Sequence, residues 1–300
     1  MMQYALPIVF TLGVWWITTG IVLKVVNLEP STYRRSLTVA TAILGGALLC
    51  LEWSAGTATV FSAYVAFLSG LLVWGWIEMS YYMGLITGPR SRGCTPGVSR
   101  GRRFWLALQA SLYHELLIVA FGGIIVALTW GAPNQVGTWT FIILWLMRWS
   151  AKLNIFLGVP NLNLQWFPDH LRYLETFIVK KPMNALFPVS MVISTAAAAF
   201  VLWSAMNGDT TPFGVVESLL LGSLIVLAIL EHVFLVLPVP DAALWHWAVP
   251  SKPDNRSTID GKKKNSTTRL NRTKGPLEGL DVTVVCGPSS PRAAPSTNGR

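Results

Sequence analysis

A histidine and a carboxylate stand side by side, as His114-Glu115, in the fourth long apolar run of the chain. Two other apolar runs contain Glu78 and the reversed pair Glu231-His232. A titratable side chain is costly to bury in lipid, so within such a run it generally faces other helices and has a partner or a chemical task. These five residues are therefore the first candidates for a functional site.

Neutral imidazole and carboxylate ligands suit iron, manganese or zinc, which makes a metal site one interpretation. A single histidine, His114 or His232, is also the kind of axial ligand that holds a chlorophyll magnesium or a haem iron. A proton relay is a third interpretation. The Glu-x-x-His pattern typical of di-iron bundles is missing. The candidate metal ligands are Glu78, His114, Glu115, His170, Glu231 and His232.

The fourth interpretation is structural: ion pairs and hydrogen bonds that neutralise charges inside a helical bundle. Glu78 would pair with His114, or Glu231 would pair with Arg148 or Lys152. The fifth apolar run closes with Arg148-x-x-x-Lys152-x-Asn154. These three residues are candidate cofactor-binding residues, because their donors would neutralise the carboxylates or receive an anionic group.

Counting residues from the ends of the runs places these groups at one level. With a rise of about 1.5 Å per residue, Glu78, His114 and the Glu231-His232 pair lie within roughly 8 Å in depth. Adjacent residues on a helix point about 100° apart. Each His-Glu pair is therefore expected to direct its two side chains to different neighbours.

The composition indicates what positions them. Of the 300 residues 52% are hydrophobic and only 12% are charged, which predicts a polytopic integral membrane protein of the all-α class. No GxGxxG, P-loop or Ser-His-Asp pattern is present, so nucleotide use and hydrolysis have little support. Membrane lipid is an expected partner and nucleic acid is not, since ten of the 23 Lys and Arg lie in the last fifty residues.

The apolar runs predict seven transmembrane helices. The second run is the shortest and is interrupted by two adjacent glycines. The predicted spans are about Tyr4–Val26, Leu37–Leu51, Ala58–Ile86, Phe104–Trp130, Val136–Phe156, Ala185–Met206 and Phe213–Leu237.

Basic residues crowd into alternate connections, as in Arg90, Arg92, Arg100, Arg102 and Arg103 between spans three and four. The other connections, around residues 53–57, 131–135 and 207–212, contain no Lys or Arg. The positive-inside rule then predicts an outside N-terminus and a cytosolic C-terminus.

Two segments differ from the spans. Residues 167–180 predict an amphipathic interfacial helix, with His170 at the edge of its apolar face and able to cover the site from the inner side. His246, between two tryptophans, predicts an interfacial aromatic belt. Residues 251–300 are basic and poor in apolar residues, which predicts a disordered cytosolic tail after a membrane domain of residues 1–250.

Several motifs resemble one family in order along the chain. They are Leu85-Ile86-Thr87-Gly88-Pro89-Arg90, Tyr113-His114-Glu115-Leu116, the run from Arg148 to Asn161, Pro168-Asp169-His170-Leu171-Arg172-Tyr173-Leu174, and Lys181-Pro182-Met183-Asn184. The chain resembles the PuhE family of photosynthetic-complex assembly proteins of purple and related phototrophic bacteria over roughly residues 1–250. The tail lies outside the resemblance.

The resemblance implies a multi-pass protein of the bacterial inner membrane, cytoplasmic or intracytoplasmic, encoded with photosynthesis genes. It implies a role in accumulating the reaction centre and core antenna, whose subunits are then the expected partners, either by handling bacteriochlorophyll or by docking a subunit. The alternative hypothesis is an enzyme: an iron- or manganese-dependent oxygenase or cyclase-like protein acting on a bacteriochlorophyll precursor or a quinone. A purely structural partner of the complex is the third hypothesis.

Overall fold

The computed structural model describes residues 2–161, 168–207, 211–237 and 244–248, and the fold in these ranges is helical. Seven long α-helices follow one another, with a 3-10 helix at Pro30–Thr32 and another at Asp169–Phe177. The long helices are α1 (Met2–Val26), α2 (Tyr33–Ala55), α3 (Val60–Tyr82), α4 (Arg100–Thr129), α5 (Val136–Leu157), α6 (Leu186–Asn207) and α7 (Pro212–Phe234).

Each of these seven helices is long and apolar enough to cross a membrane. The predicted all-α, multi-pass architecture is therefore confirmed. The apolar outer faces of these helices suit contact with lipid. A helix can cross the hydrocarbon layer because it satisfies its own backbone hydrogen bonds. The direction of the termini stays a prediction, and the predicted tail, residues 251–300, lies outside the described residues.

The second helix is longer than predicted. It runs over 23 residues, Tyr33–Ala55, whereas the apolar run alone predicted Leu37–Leu51. Polar residues such as Arg34 and Glu52 extend both ends, since long charged side chains can reach the polar membrane surface while the helix continues. The interruption by two glycines does not break the helix.

The third helix ends earlier than predicted, at Tyr82 and not at Ile86. Gly84 explains the difference, because its φ of 76° lies in the left-handed region that glycine adopts without steric cost. The backbone N–H of Gly84 donates to Tyr81 and that of Leu85 donates to Ser80. These bonds close the last turn of α3 and release the chain into the loop that approaches α4.

Helices α3 and α7 form the buried centre of the bundle. More than half of the spanning part of each is buried, far more than in the other five helices. Helix α3 packs against α1, α2 and α5, while α7 packs against α1, α5 and α6. The main apolar core lies between them and includes Phe67, Ile118, Phe141 and Leu220, each almost completely buried. Helix α5 therefore touches both central helices.

Glycine brings α3 and α5 unusually close. A Cβ atom added to Gly70 would lie 3.0 Å from the carbonyl oxygen of Gly137 and 3.2 Å from the side chain of Thr140. A Cβ on Gly137 would lie 3.0 Å from the carbonyl oxygen of Ala66. Small residues at such crossings let helix backbones approach in membranes, where packing drives association.

The segment predicted as an interfacial α-helix is a 3-10 helix, Asp169–Phe177. Leu171 and Phe177 are buried, so apolar residues of the predicted amphipathic segment do face the protein. Phe167, which the prediction included, lies outside the described residues. The location of this segment at a membrane surface stays a prediction.

The short segment around His246 packs on the first helix. The Trp245 ring lies 5.4 Å from that of Trp15, and its Nε1 donates to the carbonyl oxygen of Trp16 at 3.1 Å. The Trp247 ring lies 5.6 Å from the Trp16 ring. His246 itself is exposed. The two tryptophans therefore hold the segment 244–248 against α1, and the predicted interfacial belt stays a prediction.

The close crossing of α3 and α5 predicts a strong effect of added volume. Gly70→Val should destabilise the protein by about 1–3 kcal/mol, since the new side chain meets backbone across the crossing. Gly123→Val is the matched control on α4, because no atom lies within 4 Å of an added Cβ there. Unfolding by dodecyl sulfate from a mild detergent measures both, and equal effects would contradict the role of the crossing.

Candidate functional site

Two ion pairs join three helices at membrane depth. The Arg148 guanidinium on α5 donates to Glu78 Oε2 on α3 at 2.8 Å, and Lys152 Nζ on α5 donates to Glu115 Oε1 on α4 at 2.5 Å. The spacing of four residues puts both cations on one side of α5. Each carboxylate side chain is only 10% exposed. The pairing neutralises charges that would otherwise be expensive to bury.

Two tyrosines at the end of α3 complete this cluster. The Arg148 guanidinium donates to the Tyr82 hydroxyl oxygen at 2.9 Å, and its central carbon lies 5.7 Å from the centre of the Tyr82 ring. Lys152 Nζ lies 5.5 Å from the centre of the Tyr81 ring. Aromatic faces attract cations, so both cations are held by a carboxylate and a ring.

His114 lies behind the ion pairs and is completely buried. Its Nε2 lies 3.8 Å from Glu78 Oε1, which is longer than a hydrogen bond, and its ring lies 4.3 Å from that of Tyr81. Neither ring nitrogen has a hydrogen-bond partner among the described residues. Thus the pair His114-Glu115 directs its side chains to different helices, as predicted: His114 towards α3 and Glu115 towards α5.

The loop after α3 presses against the backbone of α4 next to His114. The backbone N–H of His114 donates to the carbonyl oxygen of Thr87 at 3.0 Å. A Cβ on Gly88 would overlap the carbonyl of Gln109 and lie 2.7 Å from the carbonyl carbon of Ala110. Only glycine lets the loop approach so closely. This contact accounts for the Thr87-Gly88 motif found in the sequence.

Glu231 and His232 lie on another side of α5. His232 Nδ1 donates to the carbonyl oxygen of Ala228 at 2.8 Å, and His232 Nε2 lies 2.9 Å from Ser150 Oγ. Glu231 Oε1 accepts from Trp15 Nε1 on α1 at 2.9 Å. The predicted ion pair of Glu231 with Arg148 or Lys152 is wrong, because Glu78 and Glu115 take those cations.

Asn154 connects α5 with α6. Its side-chain amide donates to the carbonyl oxygen of Ser150 at 3.0 Å and to Ser190 Oγ at 3.1 Å. The Asn184 amide donates to the carbonyl oxygens of Asn154 and Gly158, and its Oδ1 caps the start of α6 at Leu186. The structure therefore gives Asn154 a packing role away from the two cations.

His170 lies at the edge of the site and outside the charged cluster. Its Nε2 donates to the carbonyl oxygen of Tyr82 at 3.0 Å, where α3 ends. A Cβ on Gly84 would lie 2.7 Å from the His170 ring, so this glycine also makes room for the histidine. Nearby, burial raises the pKa of Tyr173 above its ordinary value. The segment that contains His170 therefore contacts the C-terminal end of α3. The role of His170 as a cover for the site stays a prediction.

A cavity of about 310 Å³ opens beside the ion pairs, between α4, α5 and the 3-10 helix; we call it the α4–α5 cavity. Helix α3 ends beside it, at Tyr81 and Tyr82, and the 3-10 helix covers the part beyond. The cavity is lined by Tyr81, Tyr82, Phe104, Ala107, Leu108, Ser111, Glu115, Arg148, Trp149, Lys152, Leu153, Ile155, Phe156, Leu174, Phe177 and Ile178.

The six candidate metal ligands are not gathered in one place. Glu78 and His114 approach each other, but Glu231 faces α1, and His170 bonds the end of α3. Within the described part of the chain, no three His, Cys, Asp or Glu side chains form a group that could hold a metal ion. The metal and pigment roles of these residues stay predictions, and the geometry lends them no support.

Sequence reasoning missed part of the cavity wall. Tyr81, Tyr82, Ser111 and Trp149 lie there although the sequence analysis did not select them. The only local signal was the adjacent pair of tyrosines at the end of an apolar run. A tyrosine needs a polar partner when it is buried, and that rule could have drawn attention to the pair.

Comparison with known proteins places the chain in a wider group. A family described as Protein of unknown function (DUF3623) matches residues 1–256. The chain is 37% identical over 254 residues to the "Uncharacterized 30.4 kDa protein in puhA 5'region" of Rhodobacter capsulatus, an alignment that covers 83% of this chain and 92% of that protein. No solved structure matches the chain.

The ion pairs predict a non-additive response to substitution. Arg148→Met leaves Glu78 as an uncompensated charge and should destabilise the protein by about 3–5 kcal/mol, whereas Glu78→Gln with Arg148→Met should cost much less. A double-mutant cycle of unfolding free energies in mild detergent measures the coupling.

The control for this cycle is the exposed pair Asp169 and Arg172, joined at 3.1 Å on the 3-10 helix. Asp169→Asn and Arg172→Met should change stability little, alone or together, because water screens exposed charges. The paired arrangement would be refuted if the double variant at Glu78 and Arg148 lost as much unfolding free energy as the two single variants together.

Proposed function

We propose an assembly role in photosynthesis from one premise: the chain belongs to the family described as Protein of unknown function (DUF3623). In this proposal the protein resides in the bacterial inner membrane and helps the reaction centre and core antenna to accumulate. Its seven apolar helices suit a protein that meets its partners within the membrane. Subunits of that complex are the partners it would dock.

The observation that carries the proposal is the 37% identity with the Rhodobacter capsulatus protein, whose name places its gene beside puhA. The sequence motifs resemble the PuhE family, which shares the puh designation and is encoded with photosynthesis genes. The family match spans residues 1–256, a range that contains the ion pairs and the residues that line the α4–α5 cavity. The motif resemblance and the name of this relative both support a photosynthesis-related role.

The geometry favours docking of a subunit over ligation of bacteriochlorophyll by the candidate histidines. Both ring nitrogens of His232 have partners within the helices, at Ala228 and Ser150. His114 is completely buried beneath Tyr81 and Glu78. An axial ligand needs a nitrogen that faces an open space the size of the macrocycle. Neither histidine has that setting in this conformation.

The enzyme hypothesis receives less support from the same contacts. A metal oxygenase needs several ligands on one ion, and the carboxylates of Glu78 and Glu115 are each engaged by a cation. An arrangement of matched charges is better suited to holding three helices in a defined order. We therefore retain the assembly role as the conclusion.

Deletion of the gene in its phototrophic host tests the assembly role. The near-infrared absorbance of the assembled reaction centre and core antenna should fall relative to total membrane protein. Plasmid-borne wild-type protein should restore it. Arg148→Met should restore it only in part, because destabilised membrane proteins accumulate several-fold less.

Arg172→Met is the matched control and should complement like the wild-type protein, since its ion pair is exposed. Affinity purification in mild detergent should recover subunits of the complex with the tagged protein. Unchanged complex levels in the deletion strain, with all subunits assembled at the normal rate, would remove the basis for this function.

A further inference from the structure

The α4–α5 cavity is polar at one end and apolar at the other. Glu115, Lys152 and Arg148 line one end, whereas Phe104 and Phe156 line the other. Glu115 and Phe104 are eleven residues apart on α4, which corresponds to about 16 Å along the helix. The cavity therefore suits an elongated molecule with a polar head and an apolar body.

The charges around the polar end cancel. Glu78 and Glu115 balance Arg148 and Lys152, and both carboxylates lie within salt-bridge distance of their cations. A ligand with a full negative charge would leave one charge uncompensated in an apolar surrounding, which is strongly unfavourable. The site therefore favours a neutral hydrogen-bond acceptor such as a carbonyl group over a carboxylate or a phosphate.

The donors at this end remain available. The Lys152 side chain is 27% exposed and that of Arg148 is 28% exposed, whereas the two carboxylates behind them are 10% exposed. Lys152 has three N–H donors, of which Glu115 takes one. The accessible donors are therefore the partly exposed ends of the Lys152 and Arg148 side chains. A ligand in the cavity would thus meet donors first.

The volume limits the polar head to one or two rings. An engineered protein cavity of about 150 Å³ holds benzene, so roughly twice that volume holds about two fused or substituted rings. The α4–α5 cavity measures about 310 Å³. The tyrosine, tryptophan and phenylalanine rings in its wall offer the aromatic faces against which a flat ring packs.

We propose that the α4–α5 cavity binds an isoprenoid quinone. The quinone ring lies at the polar end and its carbonyl oxygens accept hydrogen bonds from Lys152 and Arg148. Its chain runs along the apolar wall formed by Leu108, Leu153 and Leu174. This binding goes beyond the assembly role and does not depend on it, since it follows from the cavity alone.

Calorimetric titration of the purified full-length protein in mild detergent tests the proposal. Decylubiquinone provides a single-ring probe and phylloquinone a two-ring probe. Palmitic acid provides a charged acceptor on an apolar chain, and dodecylbenzene provides a ring without an acceptor. We expect at least one of the quinones to bind more tightly than both comparison ligands, and the better quinone identifies the ring system.

Two variants test the location. Glu115→Gln with Lys152→Met removes a donor without leaving a lone charge and should weaken quinone binding by about tenfold or more, the effect of one hydrogen bond to a charged group. Ser111→Trp should abolish binding by filling the cavity while it leaves both ion pairs in place. The control, Asp169→Asn with Arg172→Met, should bind like the wild type.

Thermal unfolding of each variant shows whether it folds, and binding is compared among the folded ones. No heat of binding with either quinone would overturn the proposal. Equal or tighter binding of palmitic acid or dodecylbenzene would overturn it too, because the carbonyl acceptor would then have no role. Unchanged quinone binding by folded Ser111→Trp would place the ligand elsewhere and contradict the assignment of the cavity.

Discussion

Charge neutralisation inside an apolar bundle is the constraint on which this structure depends. Four charged side chains form two ion pairs within the spanning helices, and each would destabilise the bundle if its partner were absent. Glu78 with Arg148, and Glu115 with Lys152, tie α3 and α4 to the same side of α5. The three helices must therefore be arranged and rotated so that both ion pairs form at once, which restricts how they can pack.

The same pairing creates the chemistry of the α4–α5 cavity. The carboxylates lie behind the cations, so the wall presents hydrogen-bond donors while the local charge remains balanced. Tyr81 and Tyr82 support the cations from the end of α3. The ion pairs that stabilise the bundle thus also form part of the cavity wall. A structural role of these polar residues is therefore compatible with a ligand beside them.

Close backbone contacts hold the helices in place around these ion pairs. Gly70 lets α3 approach α5, and Gly88 lets the following loop reach the backbone of α4 beside His114. The left-handed conformation of Gly84 ends α3 at the point where the 3-10 helix begins to cover the cavity. Glycine is required at these positions, because any side chain would meet backbone, a neighbouring side chain or the His170 ring.

The sequence by itself determined the class of the protein and the number of its spans, because hydrophobicity adds up locally along each run and a bilayer needs about twenty apolar residues. It also located the polar level that contains Glu78 and His114. Only the tertiary structure decided that Arg148 pairs with Glu78 and not with Glu231, that Asn154 faces α6, and that a cavity lies next to Lys152. These choices depend on how each helix rotates about its axis and which helices become neighbours, and both follow from packing between residues far apart in the chain.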